Sequence, residues 1–149
     1  MTTPGPHSPN PVISPSPDAL EFWDGCRAGE LRLPRCNACS ELFFYPRALC
    51  PRCGSRDLSW QRVTGRGRLH SFCVQFHCAV PGYTGAVPFV TALVDLDEGP
   101  RMMSLLVEAG TDPLLIHIGT SLEVAFQDTD SGWPLPVFRP VPADGSEPT

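Results

Sequence analysis

From residue 63 onward, apolar and polar residues alternate in short runs that end at Gly, Pro or Asp. A period of two marks half-buried strands. The runs predict strands over 69–76, 87–96, 101–108, 121–127 and 137–139. In the first, Phe72, Val74 and Phe76 share a face and Leu69 falls out of step, which predicts a bulge near His70 and Ser71. Phe72, Phe76, Phe89 and Phe126 are expected in the core. Segment 111–117 fits a short helix plugging one end, or a loop. Before residue 63 the pattern differs. Asp18-Ala-Leu-Glu21 reads as a helix start, with Asp18 as cap and Glu21 as its capping-box partner, and Gly29 as the stop. The predicted helix, 19–28, sets Leu20, Trp23 and Arg27 on one face with Cys26 beside them. It is too short to stand alone. Residues 31–35, 42–45 and 58–63 are β-prone. The pattern predicts a mainly β protein in which a short N-terminal helix precedes a small five-stranded barrel of the OB type.

Composition marks out the ends. Of 18 prolines, six lie within residues 1–17 and five within 134–149. Segments this rich in Pro neither ladder nor coil. The expected division is a disordered tail at 1–17, a helix and cysteine-rich segment at 18–62, the barrel at 63–140 and a disordered tail at 141–149. The N-terminus lacks the basic and hydrophobic regions of an export signal. Residues 69–94 carry no Asp, Glu, Lys or Arg, but Pro81, Gly82, Gly85, Pro88, His70 and His77 break any membrane span. A reducing cytoplasm is the expected location, where seven cysteines read as metal ligands and free thiols.

The net charge of −5 is unevenly placed, and the chain has no lysine. Residues 27–68 hold nine Arg against three acids; residues 69–149 hold two Arg against ten acids. A basic region made wholly of Arg suits bidentate contacts to phosphate or carboxylate.

The strongest motif is Cys36-x2-Cys39-x10-Cys50-x2-Cys53. Two such knuckles bring four thiolates to tetrahedral positions about 2.3 Å from one Zn²⁺. Pro51 and Gly54 suit the second knuckle; Asn37 and Ser40 are less typical of the first. Rubredoxin-type iron uses the same geometry. A site closed by four cysteines has no open position for water, so the metal is structural. Cys26, Cys73 and Cys78, with His70, His77 and His117, raise the question of a thiol nucleophile, but no Gly-rich elbow or oxyanion signature accompanies them. Gly65-Arg66-Gly67-Arg68 reads as a turn into the barrel, with phosphate contact as the alternative. The acids of 94–101 lack calcium-loop spacing and read as a solvated hairpin. Tyr83 stands in the Gly/Pro-rich loop 79–88, a place that often carries binding. Segment 31–62 thus has the layout of a zinc ribbon, and one so small cannot bury Phe22, Trp23, Phe43, Phe44 and Tyr45 together, which predicts an apolar patch that a partner covers.

An ordered set of segments carries a resemblance over about residues 19–140: Phe22-Trp23, Gly29-Glu-Leu31, the two knuckles, Tyr45-Pro46-Arg47, Gly65-Arg-Gly67, the run from Val94 to Pro100, Ile118-Gly119 and Pro136-Val-Phe-Arg139. It resembles the thiolase-associated proteins in which a rubredoxin-like zinc ribbon precedes an acyl-CoA-associated OB-fold, a family long catalogued as a domain of unknown function. The resemblance implies a non-catalytic accessory subunit that docks on a thiolase-fold partner acting on acyl-CoA, by thiolysis, acyl transfer or retro-aldol cleavage. It maps only the four cysteines. Arg66, Arg68 and Tyr83 are the candidate contacts to that partner or to coenzyme A, because they offer positive charge and a rigid aromatic face. The alternative is a nucleic-acid-binding zinc-ribbon and OB module. The acidic barrel argues against it, since a phosphate backbone would be repelled.

Overall fold

A computed structural model describes residues 8–142. The expectations for residues 1–7 and 143–149 lie outside the described residues. One helix, α1 (Leu20–Arg27), precedes seven strands. Strands β1 (Leu31–Cys36) and β2 (Leu58–Val63) form an antiparallel pair, in register from Leu31 opposite Val63 to Cys36 opposite Leu58. The others are β3 (Arg66–Gln75), β4 (Phe89–Leu96), β5 (Arg101–Leu106), β6 (Ser121–Gln127) and β7 (Leu135–Pro140). They close into a barrel in the order β3-β4-β5-β7-β6, with β5 and β7 parallel and the other pairs antiparallel. No helix among the described residues is long and apolar enough to cross a membrane.

The bulge lies where the pattern places it. Register shifts between Leu69 and Ser71. Before it, Gly67 and Leu69 face inward; after it, Phe72 and Val74 do. One extra residue flips the parity of a strand, so the bulge lets two out-of-step runs share one core. Segment 111–117 contains one 3-10 turn, Pro113–Leu115, and of its apolar residues only Ile116 is buried.

The helix starts differently from expectation. Pro17 opens a 3-10 turn, Pro17–Ala19, whose last N–H bonds the Ser16 carbonyl. Asp18 is thereby inside the turn and makes no cap bond, and Glu21 pairs with Arg32 instead. The buried face is Phe22, Trp23 and Cys26, following Ala19; Leu20 is exposed. Residues 42–45 do not form a strand. Leu42 makes one isolated bridge to Arg35, and the chain then turns so that Phe44 and Tyr45 reach the helix.

The helix is the joint of the molecule. Phe22 stacks edge-on against Trp23 at 5.0 Å and touches Phe44 and Tyr45. Phe22, Leu31, Leu33 and Val63 belong to the same continuous core as Leu69, Val94, Met102 and Phe138 of the barrel. At its far end the Arg27 guanidinium lies 3.5 Å over the Trp133 ring and donates to the Gly132 carbonyl. Phe22 is therefore buried, and Trp23 nearly so, by the barrel and the ribbon together; Phe43 is buried as well, while Tyr45 is 39% exposed. Phe89 and Phe126 are core residues and Phe72 is half-buried, but Phe76 is 67% exposed because β3 ends at Gln75.

Residues 8–16 lie along the barrel rather than apart from it. The Pro9 carbonyl accepts from Gln127 Nε2, Asn10 N donates to the Gly82 carbonyl, and the Asn10 side chain bonds Asp130. Gly82 has φ +88°, and a Cβ there would stand 2.7 Å from the Asn10 carbonyl oxygen. Only glycine fits so close a backbone approach.

Candidate metal centre and apolar cleft

The ribbon forms its cysteine cluster from two similar turns. Cys36 ends β1, and the Ser40 N–H bonds the Cys36 carbonyl. In the second turn the Gly54 N–H bonds the Cys50 carbonyl. Ser40 (φ 66°) and Gly54 (φ 79°) occupy the left-handed region at equivalent places, which turns each loop back on its own cysteines. The Ser40 position, less typical in sequence, adopts the same geometry as glycine. The four sulfurs lie within 4.8 Å of one another, with Cys36 to Cys53 at 3.5 Å and Cys39 to Cys50 at 3.6 Å. A tetrahedron with metal–sulfur bonds near 2.3 Å has edges of about 3.8 Å.

Four thiols this close oppose one another's ionisation. The Cys39 backbone N–H holds the Cys36 thiol down to about 7. The Glu41 N–H favours the Cys39 thiolate, but burial and the neighbouring sulfurs outweigh it and push that group up to about 12. A divalent cation reverses this balance and deprotonates thiols outright. The donor set fits a structural Zn²⁺ held by Cys36, Cys39, Cys50 and Cys53, with no open coordination position.

The other thiols are placed differently. Burial pushes Cys26 up to about 12, so it is inert packing at the joint. Cys73 is exposed on β3 and Cys78 is half-buried. His70 Nδ1 contacts Asp95 and Arg101, and among the described residues no cysteine thiol shares a hydrogen bond with a histidine ring.

Much of the basic charge of the ribbon is used internally. Arg32 pairs with Glu21 and Glu30, Arg62 with Glu30 and Arg52 with Glu41. Arg66 and Arg68 form no ion pair among the described residues; Arg68 donates to the Gly119 carbonyl. They stand at the start of β3, and Tyr83 stands in the loop beyond its end. The three candidate contacts are thus not one site.

Tyr83 is half-buried, not exposed, with its ring 5.4 Å from Phe89. It forms one wall of a cleft of about 430 Å³. Trp23 and Tyr45 also line it, joined by a 3.2 Å hydrogen bond from the indole to the phenol. Gln75, Thr91 and Ser104 contribute to the lining from β3, β4 and β5. Sequence reasoning missed this cleft, because its lining is drawn from segments spread along the chain from Phe22 to Pro136.

Two family models match adjoining parts of the chain, together residues 23–127. Residues 23–59 match the rubredoxin-like zinc ribbon domain of ChsH2, and residues 60–127 match its C-terminal OB-fold domain. The chain belongs to the ChsH2 zinc-ribbon and OB-fold family. Within this family, it is 35% identical over 139 residues to a probable enoyl-CoA hydratase alpha subunit of Thermomonospora curvata, covering 93% of this chain and 42% of the relative. The chain therefore spans less than half of that relative's length. It is 29% identical over 129 residues, 83% of each chain, to the benzoylsuccinyl-CoA thiolase subunit BbsA of Thauera aromatica. Among solved structures it matches a chain of the Ltp2-ChsH2(DUF35) aldolase with a TM-score of 0.73 and 35% identity, covering 87% of this chain and 98% of that one.

Proposed function

We propose that the chain is a non-catalytic accessory subunit of a thiolase-fold enzyme complex acting on acyl-CoA substrates. The observation that carries this reading is the range of reactions named on its relatives: a hydratase, a thiolase and an aldolase. These reactions make and break different bonds. A module common to all of them is better suited to holding a complex together than to supplying reacting groups. The metal agrees with that role, since a zinc held by four thiolates cannot activate water. In this reading Arg66 and Arg68, which form no ion pair among the described residues, meet the partner or the phosphates of coenzyme A, and Tyr83 meets the partner. A reducing cytoplasm suits the free thiols. The nucleic-acid reading has less support, because Arg32, Arg52 and Arg62 of the ribbon are engaged with glutamates and the barrel segment is acidic.

The test is to purify the chain alone and co-expressed with a candidate thiolase-fold partner, and to assay both with acyl-CoA esters. The isolated chain should turn over none of them, and the complex should be active. Turnover by the isolated chain, lost on Cys78→Ala or His77→Ala, would overturn the reading.

A further inference from the structure

Loop 79–88 brings Val80 and Tyr83 to the cleft, yet few bonds tie it to the rest of the molecule. Among the described residues its hydrogen bonds are internal, with one exception. The Tyr83 N–H and the Thr84 hydroxyl donate to the Val80 carbonyl, and the Ala86 N–H donates to the Tyr83 carbonyl. The exception is the Gly82 carbonyl, which accepts from the Asn10 N–H at 2.8 Å. Pro9 and Pro11 have no N–H, so Asn10 carries the one backbone donor of residues 9–11, and it is used on the loop. Packing holds the second half of the loop, where Ala86 is buried with Phe89, Leu105 and Val137. At its tip, a Cβ on Gly82 would stand 2.8 Å from the Pro11 Cα, so the two segments meet backbone to backbone.

The N-terminal segment is itself anchored elsewhere. Pro9 is buried, and its carbonyl accepts from the buried Gln127 amide at the end of β6. The Asn10 side chain makes a two-point contact with Asp130: Nδ2 donates to the carboxylate at 2.9 Å, and Oδ1 accepts from the backbone N–H at 3.0 Å. Ile13 packs against the main core. An amide is the side chain this contact needs, since it donates and accepts at once; Ala offers neither, and Asp would set two carboxylates against each other. Gln127 and Asp130 make no hydrogen bond to loop 79–88 among the described residues. Support for the tip of the loop therefore runs from the end of β6 and the turn after it, through Asn10, to Gly82. The flanking prolines fix φ, so the segment loses little freedom when it seats.

We propose that residues 9–13 are a latch that holds the tip of loop 79–88 against the barrel and thereby sets how far the cleft beside Tyr83 stands open. Released, the latch frees the tip while the barrel core and the cysteine cluster stay as they are, because a loop with few external bonds opens locally at far less cost than a closed barrel. The latch acts on the wall of the cleft, whatever the cleft accepts.

The test uses the full, zinc-loaded chain and two readouts of the loop. One is hydrogen exchange of residues 79–88 by mass spectrometry. The other is the rate at which iodoacetamide alkylates Cys78, which lines the cleft and is half-buried. Asn10→Pro removes the N–H and both side-chain bonds, and should speed both readouts by about tenfold or more. Asn10→Ala keeps the N–H and should act in the same direction by a smaller factor. Asp130→Ala should also speed them, although Asp130 bonds the latch and not the loop. Added to Asn10→Pro it should change nothing further, because the latch is already released. Exchange in the central residues of β4 and β5 should stay at its wild-type rate. Val12→Ser is the control: Val12 lies in the latch but is 88% exposed, and its loss should leave both readouts within about twofold. Loop rates that stay at wild-type values in Asn10→Pro overturn the proposal. So does faster exchange shared equally by β4 and β5, which is general loosening, and so does an Asp130→Ala effect that persists in full beside Asn10→Pro. Should Asn10→Pro not fold, wild-type rates in both Asn10→Ala and Asp130→Ala overturn it instead.

Discussion

The ribbon and the barrel reach order by opposite means. The barrel closes five strands on themselves, so few backbone groups are left unpaired, and it fills the interior with Leu69, Val94, Met102, Leu122 and Phe138. The ribbon has one two-stranded pair and a handful of buried residues, chiefly Leu31, Leu33 and Phe43. A lone hairpin of that size is marginal in water. Its order comes from the metal and from the helix that seals it to the barrel. The lesson is that one continuous core can hold two parts of unequal independence, and perturbations should separate them.

The largest effect should come from the metal. Structural zinc contributes on the order of 10 kcal/mol in small peptides, because binding it is folding. Purified protein should hold one equivalent of Zn²⁺ by elemental analysis. A strong chelator, or Cys36→Ser or Cys53→Ser, should remove hydrogen-exchange protection from residues 31–63 and leave much of it at 66–140. An unchanged melting curve in metal-free protein would refute the structural role. Iron in place of zinc would show as charge-transfer absorption in the visible.

Core truncation should come next. Phe138 and Phe22 are both essentially buried. Replacing either by Ala should cost about 3–5 kcal/mol, from lost transfer energy and the cavity left behind. Where the cost appears should differ. Phe138→Ala loosens the barrel while zinc stays bound. Phe22→Ala opens the joint, so zinc release, followed with a colorimetric chelator, should move to a lower temperature along with unfolding. Equal zinc retention in the two variants would mean that the ribbon does not lean on the barrel.

Much of this was legible in the sequence, for identifiable reasons. The alternation revealed the five barrel strands within a few residues, and the out-of-step Leu69 revealed the bulge, because side-chain parity is dictated by the pleat. The cysteine spacing revealed the zinc site, because two knuckles leave the sulfurs little freedom. The rest depended on distant partners. Pro9 and Asn10 are held through the Pro9 carbonyl and the backbone and side-chain amides of Asn10, which no hydrophobic pattern encodes. Asp18 had the chemistry of a cap, but Pro17 placed it inside a turn. Residues 42–45 were β-prone by composition, yet their rings were wanted at the helix. The cleft required the helix, β3, β4, β5 and a loop at once.

The smallest effect belongs to the barrel surface, and its sign is fixed. Arg101 donates twice to Asp95, at 2.6 and 3.2 Å, and His70 approaches it at 3.3 Å. The Arg101 hydrogen bonds hold the Asp95 carboxyl below its ordinary value. A carboxyl with a lowered folded pKa binds fewer protons in the native state than in the unfolded chain. Its stabilisation is therefore complete above the unfolded value of about 3.9 and declines as pH falls through the native one. All the partners are largely solvated, so the contribution is small and screened by salt. Wild-type and Asp95→Asn chains, melted in parallel from pH 7 down to pH 2, should differ by a few degrees or less at the neutral end and converge at the acid end. Both chains lose zinc together as the thiolates are protonated, so their difference isolates Asp95 from the ribbon. Added 1 M NaCl should shrink the neutral-pH difference. A gap that widened toward acid pH would mean that Asp95 is stabilised in its protonated form, against the geometry of its guanidinium partner.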